Sequence, residues 1–357
     1  MINSSYNVIG VMSGTSLDGI DLAYVKFEFS NSWNFEIKHC ETVSYSKQWV
    51  NKLKSLIDLS EDELNKIDSS YTKYLGFTIK DFIARNNLVG IDFVSSHGHT
   101  ALHKPDQGLT YQIGNNQELA DIIGNKIICD FRTQDVTLGG QGAPLVPIGD
   151  KLLFGVFDYC LNLGGFANIS FQQNNQRIAF DICPVNIVLN HIVSKIGLDY
   201  DKNGELASSG KVNSQLLSEL NNLPFYNLTF PKSLGLEWVK QEVFPLIKSH
   251  ILRIEDVQCT LVEHIAIQIS DIINVRDRKV LVTGGGAYNT YLISRIKHYV
   301  PAQIIIPENN LVEFKEALIF AFLGVLKARN EANCLASVTG AKRDHSSGRI
   351  LYPKPQI

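Results

Sequence analysis

Two stretches of this chain, one starting near residue 7 and the other near residue 159, open in the same way. Each begins with three short β-type runs joined by tight polar turns, and each continues with helical periodicity broken by further apolar strands. In the first stretch, residues 7–12 are apolar and β-branched, residues 13–19 form a polar glycine-containing turn, and residues 20–29 and about 35–45 supply two more strands. Helical spacing then runs over 47–86 through Leu53, Leu56, Ile57, Ile67, Tyr71, Leu75 and Ile79, and short strands follow at 91–95 and 126–129. In the second stretch, 159–163 and 167–171 flank a Gly164-Gly165 turn, and a third strand covers 177–182. Helices are expected over 185–196, 254–275, about 289–298 and 313–329, with a strand at 279–283. A repeated α/β plan of this kind predicts a duplicated fold with a mixed sheet in each half. At 357 residues the chain also exceeds what one core usually serves. The expected division is a first lobe over 1–143, a second over 144–332, and a tail, 333–357, that packs back on the first, with a ligand cleft between the lobes.

Composition narrows the partners. A formal net charge of -3 provides no broad positive field for a nucleic-acid backbone, so a small-molecule ligand is favoured. No run approaches the roughly 18 apolar residues that span a membrane, and the polar start at Met1 to Ser5 does not read as a secretory signal. A soluble, cytoplasmic protein without a membrane partner is expected. Six cysteines are scattered without a C-x-x-C pair, a pattern that suits reduced thiols better than a disulfide framework or a structural zinc site.

Several residues carry chemistry. The turn Gly14, Thr15, Ser16, Leu17, Asp18, Gly19 presents hydroxyls and backbone N–H groups suited to phosphate oxygens, although it lacks the Lys-Ser/Thr ending of a P-loop. A tight hairpin that needs glycine for positive φ would look the same. Asp18 could hold Mg²⁺ directly or through water. Gly164-Gly165 and Gly284-Gly285-Gly286 both follow apolar strands, where missing Cβ atoms let a ligand approach the backbone, and the second best suits an adenosine. Asp181, read as ending a strand, is a candidate general base or else an N-cap for the helix from Val185. His97, His99 and His103 have a spacing open to metal ligation, but no nearby carboxylate or Cys completes a set. Arg132 would hold an anionic substrate group or pair with Asp135. Glu316 lies in an apolar helix and requires a partner, in function or in an ion pair.

Taken in order along the chain, these segments resemble the anhydro-N-acetylmuramic acid kinase family over nearly the whole length. The matching strings are Gly10 to Gly19 (GVMSGTSLDG), Ser96-His97-Gly98 with Thr100, Gln112 to Asn115 (QIGN), Asp130-Phe131-Arg132 and Gly139 to Pro147 (GGQGAPLVP). They continue with Asn162 to Gly165, Ala167-Asn168, Asp181, Pro231-Lys232-Ser233, Gly284 to Gly286 with Asn289, Glu316-Ala317 and Ser337 to Gly340 (SVTG). The resemblance implies a two-lobed actin-like ATPase (ribonuclease H-like) fold and a cytoplasmic homodimer. It implies phosphorylation of 1,6-anhydro-N-acetylmuramic acid at O6 by ATP with Mg²⁺, water opening the anhydro bridge. By position, Asp181 would activate that water. Gly14 to Gly19, Asn162, Gly164 and Gly165 would approach the phosphates, Gly284 to Gly286 the adenosine, and His97, Arg132 and Glu316 the sugar. The residues leave open another amino- or anhydro-sugar acceptor, or a nucleotide-binding regulator without kinase chemistry.

Three departures stand out. Where the family has Thr-Gly-Pro-Gly-Asn after the catalytic Asp, this chain has Ile182-Cys183-Pro184-Val185-Asn186, so the site is expected to be narrower or differently shaped. A family cation is replaced by Leu236, and a family His after Pro147 by Gly149-Asp150.

Overall fold

The computed structural model describes residues 4–14 and 17–355. Its twelve strands fall into two sheets. β1 (Ser5–Ser13), β2 (Gly19–Phe29), β3 (Trp33–Ser44), β4 (Phe93–Lys104), β5 (Leu109–Ile113) and β6 (Ile127–Cys129) belong to the first. β7 (Tyr159–Leu163), β8 (Phe166–Gln173), β9 (Gln176–Pro184), β10 (Lys279–Thr283) and β11 (Gln303–Ile305) make the second, and β12 (Arg349–Leu351) returns to the first by pairing with β6.

The two sheets share one plan. The first runs β3-β2-β1-β4-β6-β12 with β5 attached to β4, and the second runs β9-β8-β7-β10-β11. In each, three antiparallel strands in sequence are followed by two strands parallel to the first. Each parallel step needs a long crossover, and helices supply it. The largest is Glu61–Arg85 between β3 and β4, where a Ser60/Glu63 capping box and three acidic residues in the first turn satisfy its N-terminal donors. Leu64, Tyr71, Leu75, Ile79 and Phe82, spaced by seven, four, four and three residues, form its buried stripe.

The chain divides into Met1–Leu153 with Phe314–Ile357, and Phe154–Glu313. The boundaries therefore lie ten residues later and nineteen earlier than periodicity places them, at 153 against 143 and 313 against 332. Packing explains the shift. Helix Asn309–Ala328 departs from helical geometry at Phe314 (φ -105, ψ 15), and every residue from Ala317 to Leu326 beyond it is buried. That segment lies so close to β1 that a Cβ at Gly10 would stand 2.0 Å from the Ala317 carbonyl oxygen. Helix Pro147–Leu153 joins the same unit through a buried ion pair, Asp150 Oδ1 to Lys315 Nζ at 2.7 Å. The acidic residue standing in place of the family His thus has a local cation. Two strand readings also change. β4 extends to Lys104 and turns back as β5, and Asp181 lies within β9, which continues to Pro184.

Candidate active site

In the first unit, the turn after β1 is anchored from its buried end. Ser13 Oγ shares hydrogen bonds with Tyr45 OH (2.6 Å) and His99 Nδ1 (2.8 Å), and Tyr45 OH meets Tyr71 OH on the long helix at 2.5 Å. Burial pushes the Tyr45 hydroxyl up to about 12 and His99 down to about 4, so this chain is neutral near pH 7. Positive φ in the turn falls on Leu17 (60°) and not on a glycine, so a hairpin's need for glycine does not explain Gly19. Asp18 is exposed; its Oδ1 accepts from Gly19 N–H (3.0 Å), and its carbonyl accepts from Tyr45 N–H (3.3 Å). Thr15 and Ser16 lie outside the described residues.

The three histidines do not converge. His99 faces Ser13, and His103 Nδ1 meets Thr110 Oγ1 at 3.1 Å. His97 is buried with its ring against Phe320, centroids 4.7 Å apart. Its Nδ1 lies 2.9 Å from the Gly98 carbonyl, which can only accept, so Nδ1 carries the proton and Nε2 is left to accept from Arg132 Nε at 2.9 Å. Burial, reinforced by the Arg132 charge, holds His97 well below its ordinary pKa. Arg132 Nη1 donates to the Gly142 carbonyl at 2.6 Å. Burial lowers the Arg132 guanidinium, and the Glu316 carboxylate is the first charge opposing that. Asp135 is not its hydrogen-bonded partner, since its Oδ2 accepts from Gly142 N–H (2.7 Å) and its Oδ1 from Thr339 Oγ1 (2.7 Å). Burial raises the Glu316 carboxyl, Arg132 and Lys315 oppose the rise, and Asp18 adds to it. The Glu316 residue nevertheless keeps accessible surface. Arg132, Glu316 and Asp18 thus share one electrostatic neighbourhood.

In the second unit a polar row crosses four strands. Thr283 on β10 is in register with Asn162 on β7, Asn162 with Asn168 on β8, and Asn168 with Asp181 on β9, so all four point to one face. Asp181 Oδ2 accepts from Leu234 N–H at 2.8 Å, and Asp181 N–H donates to the Lys232 carbonyl at 3.1 Å. Oδ1 accepts no hydrogen bond from the described residues. Burial raises the Asp181 carboxyl, and the Leu234 bond partly offsets the rise. Asp181 does not cap a helix, because helix Asn186–Ser194 begins at Val185 without a side-chain cap. Cys183 and Val185 are both fully buried in the core of this unit. Cys183 nevertheless lies within the electrostatic reach of Asp181.

The glycine clusters differ in what requires them. A Cβ at Gly284 (φ +82) would stand 2.6 Å from Asn162 Oδ1, and one at Gly286 would stand 2.7 Å from Leu163 Cβ, so packing within the unit excludes side chains there. Gly165 is exposed, and its Cβ would meet only Ile187, at 4.0 Å. Its carbonyl and that of Gly164 accept the N–H groups of Val185, Asn186 and Ile187. Beside Gly285 opens a recess of about 440 Å³ lined by Asn186, Leu189, Asp201, Lys202, Tyr288 and Asn289, among others. Its polar walls are fixed by the protein. Asp201 accepts from Leu206 and Ala207 N–H, Asn289 caps the helix Thr290–Tyr299, and Tyr288 OH donates to Glu313. Of these lining residues, Leu189, Asp201, Lys202 and Tyr288 carry no signal in the sequence, because each reads in isolation as an ordinary turn or helix residue.

Two sheets of one strand plan, each with its polar residues at the ends of β1 and β4 or of β7 to β10, define a duplicated α/β protein of the actin-like, ribonuclease H-like ATPase class. Residues 6–353 match the anhydro-N-acetylmuramic acid kinase family, and the chain belongs to that family of sugar kinases. It is 36% identical to the anhydro-N-acetylmuramic acid kinase of Pasteurella multocida, over 97% of this chain and 96% of the relative. To those of Shewanella putrefaciens and Saccharophagus degradans it is 33% identical, over 96% and 97% of this chain and 97% and 98% of the relatives. Among the described residues, no helix is long and apolar enough to cross a membrane.

Proposed function

We propose that this chain converts 1,6-anhydro-N-acetylmuramic acid, ATP and water into N-acetylmuramic acid 6-phosphate and ADP. The observation that carries the reading is Asp181: a partly buried carboxylate with a raised pKa, fixed through Oδ2 and with Oδ1 left to take a proton. In this reading Oδ1 accepts a proton from water as the water oxygen bonds to the anomeric carbon. The bond from that carbon to O6 breaks, and O6 takes the γ-phosphoryl group as ADP leaves. Arg132, oriented by His97 and the Gly142 carbonyl, and Glu316 would hold the sugar. The turn from Gly14 to Gly19, Asn162, Gly164 and Gly165 would receive the phosphates, and the recess beside Gly285 the adenosine. Phosphoryl transfer depends chiefly on positioning and charge neutralisation, which such groups supply. Mg²⁺ fits the hard carboxylate oxygens of Asp18 and, bound with ATP, would neutralise phosphate charge. That no disulfide joins any of the six cysteines supports a reducing, cytoplasmic setting, and the family resemblance supports a homodimer.

Mass spectrometry of the mixture with purified protein, ATP and Mg²⁺ tests the reaction. N-acetylmuramic acid 6-phosphate and ADP should form in equal amounts, and a mixture without any phosphorylated sugar would refute the proposal. Gly165→Ala tests the phosphate assignment separately. The fold has room for the methyl group, so the melting temperature should hold, while KM for ATP should rise roughly tenfold, equivalent to about 1.4 kcal/mol. An unchanged KM for ATP would remove Gly165 from the nucleotide site.

A further inference from the structure

A second cluster lies in the first unit, and sequence spacing could not reveal it because Asp135 stands about two hundred positions before its two other members. Asp135, in the short helix Thr133–Thr137, meets Cys334 and His345 from the tail, and one oxygen, sulfur and nitrogen of the three lie within 4.8 Å of one another. All three residues are buried. Backbone pairing fixes the tail residues opposite each other, with Cys334 N–H donating to the His345 carbonyl (3.1 Å) and His345 N–H to the Cys334 carbonyl (3.2 Å).

The tautomer of His345 is the telling feature. Its Nδ1 lies 3.1 Å from the Arg343 carbonyl, which can only accept, so Nδ1 holds the ring proton. Nε2 is buried without a hydrogen-bond partner and faces Asp135 Oδ1 at 3.6 Å. A lone pair therefore faces a carboxylate oxygen that accepts one hydrogen bond, from Thr339 Oγ1 at 2.7 Å, across a gap that a cation would fill. The spacing is close to the roughly 3.4 Å edge of a tetrahedron built on zinc–nitrogen and zinc–oxygen bonds. A histidine that donates its second N–H to a backbone carbonyl is also the usual arrangement of a metal ligand. Cys334 Sγ makes a long contact to the Phe131 carbonyl, at 3.9 Å, and lies beside the Ser347 hydroxyl.

We infer that Asp135, Cys334 and His345 form a structural zinc site that clamps the tail to the loop after β6, with a fourth position for water. Burial, reinforced by the Asp135 carboxylate, pushes the Cys334 thiol up to about 12, and a bound divalent cation reverses that preference by stabilising the thiolate. The mixed oxygen, nitrogen and sulfur donor set suits zinc and leaves magnesium and calcium unfavoured. The clamp lies one peptide from the proposed sugar site, because Asp135 Oδ2 accepts from Gly142 N–H while the Gly142 carbonyl accepts from Arg132 Nη1.

Full-length protein, prepared without chelator and equilibrated with equimolar Zn²⁺, should retain about one zinc per chain after gel filtration. Chelation should lower its melting temperature by about 5 °C. Cobalt substitution should give a near-ultraviolet thiolate-to-metal charge-transfer band that Cys334→Ser abolishes and Cys40→Ser retains. Loss of metal in His345→Gln completes the ligand set. Wild-type protein that elutes without zinc and shows no cobalt band would overturn the site, leaving a proton between His345 and Asp135. The metal content of the wild type decides the matter even if the Cys334 variant does not fold. Neither readout depends on the sugar reaction.

Discussion

Asp181→Asn should lower turnover of the anhydro sugar by roughly a hundred- to ten-thousand-fold, the contribution of a positioned general base. Asn is close to isosteric, and its carbonyl oxygen can still accept from Leu234 N–H, so the loop over Lys232 and Leu234 should stay in place. Stability gives a second readout with a definite sign. The folded-state pKa of Asp181 lies above its unfolded value, so the folded state binds the proton more tightly. This group's contribution to stability therefore falls as pH rises from the ordinary carboxylate range through the raised value, and its ionised form is unfavourable at neutral pH. A melting temperature at pH 7 that is equal to or higher than the wild type's is the expected result for the Asn variant. The same displacement fixes the acidic limb of the wild-type kcat/KM profile, because only ionised Asp181 accepts a proton. That limb should lie above the range of an exposed aspartate and disappear from the residual activity of the variant. Wild-type turnover in a folded Asp181→Asn protein would remove the residue from the chemistry.

Legibility followed burial on one face. β1, β2, β7, β8 and β9 were readable because β-branched and aromatic residues alternate or cluster between polar turns. β4 was not, beyond its first residues. Phe93-Val94 carries the apolar signal, and the strand continues as Ser95, Ser96, His97, Gly98, His99 and Thr100, a run that reads as a loop. Its partners override that composition: β4 lies between β1 and β6 as a central parallel strand, with Ser95 Oγ donating to the Phe320 carbonyl and Ser96 Oγ accepting from Gly98 N–H. Functional polar residues on a buried strand thus erase the hydrophobic pattern by which strands are found. The lobe boundary was missed for the opposite reason. The apolar run from Ala317 to Leu326 reads as one helix, and nothing in its periodicity indicates the bend at Phe314 or the unit on which the later part packs.

The candidate site shows the same division. Asp181, Arg132 and Glu316 stand out in the sequence because charged residues among apolar neighbours need a reason. Ser13, Tyr45 and Tyr71 were not found, because a serine and two tyrosines at strand and helix positions need none until their hydroxyls meet. Asn168 and Thr283 became notable only through register, which places them in line with Asn162 and Asp181 across four strands. The departures at Cys183 and Val185 are both buried, a direction that the sequence alone does not show.

Arg132→Lys carries the second large expected effect, and it distinguishes charge from shape. The guanidinium donates through Nε to His97 Nε2 and through Nη1 to the Gly142 carbonyl, two acceptors separated as only a planar fork can serve them. Its remaining N–H groups are then held at fixed angles for a sugar oxygen or carboxylate. An ammonium keeps the charge but can satisfy one anchor only by abandoning the other, and it leaves either a buried imidazole lone pair or a carbonyl unpaired. Losing one charge-assisted hydrogen bond typically costs about 1.5–3 kcal/mol, so kcat/KM for the sugar should fall about ten- to a hundredfold. Most of the loss should fall on the sugar KM, because the contact holds the substrate before and during reaction alike. KM for ATP should change far less than that for the sugar, since the charge near Asp18 is kept and neither anchor belongs to the unit that carries the recess beside Gly285. His97→Asn should weaken sugar binding in the same direction by releasing Nε, and the double variant should lose less than the sum of the two, because both act through one guanidinium. Strictly additive losses, or an Arg132→Lys enzyme with wild-type sugar KM, would show that the fork serves the fold and not the substrate.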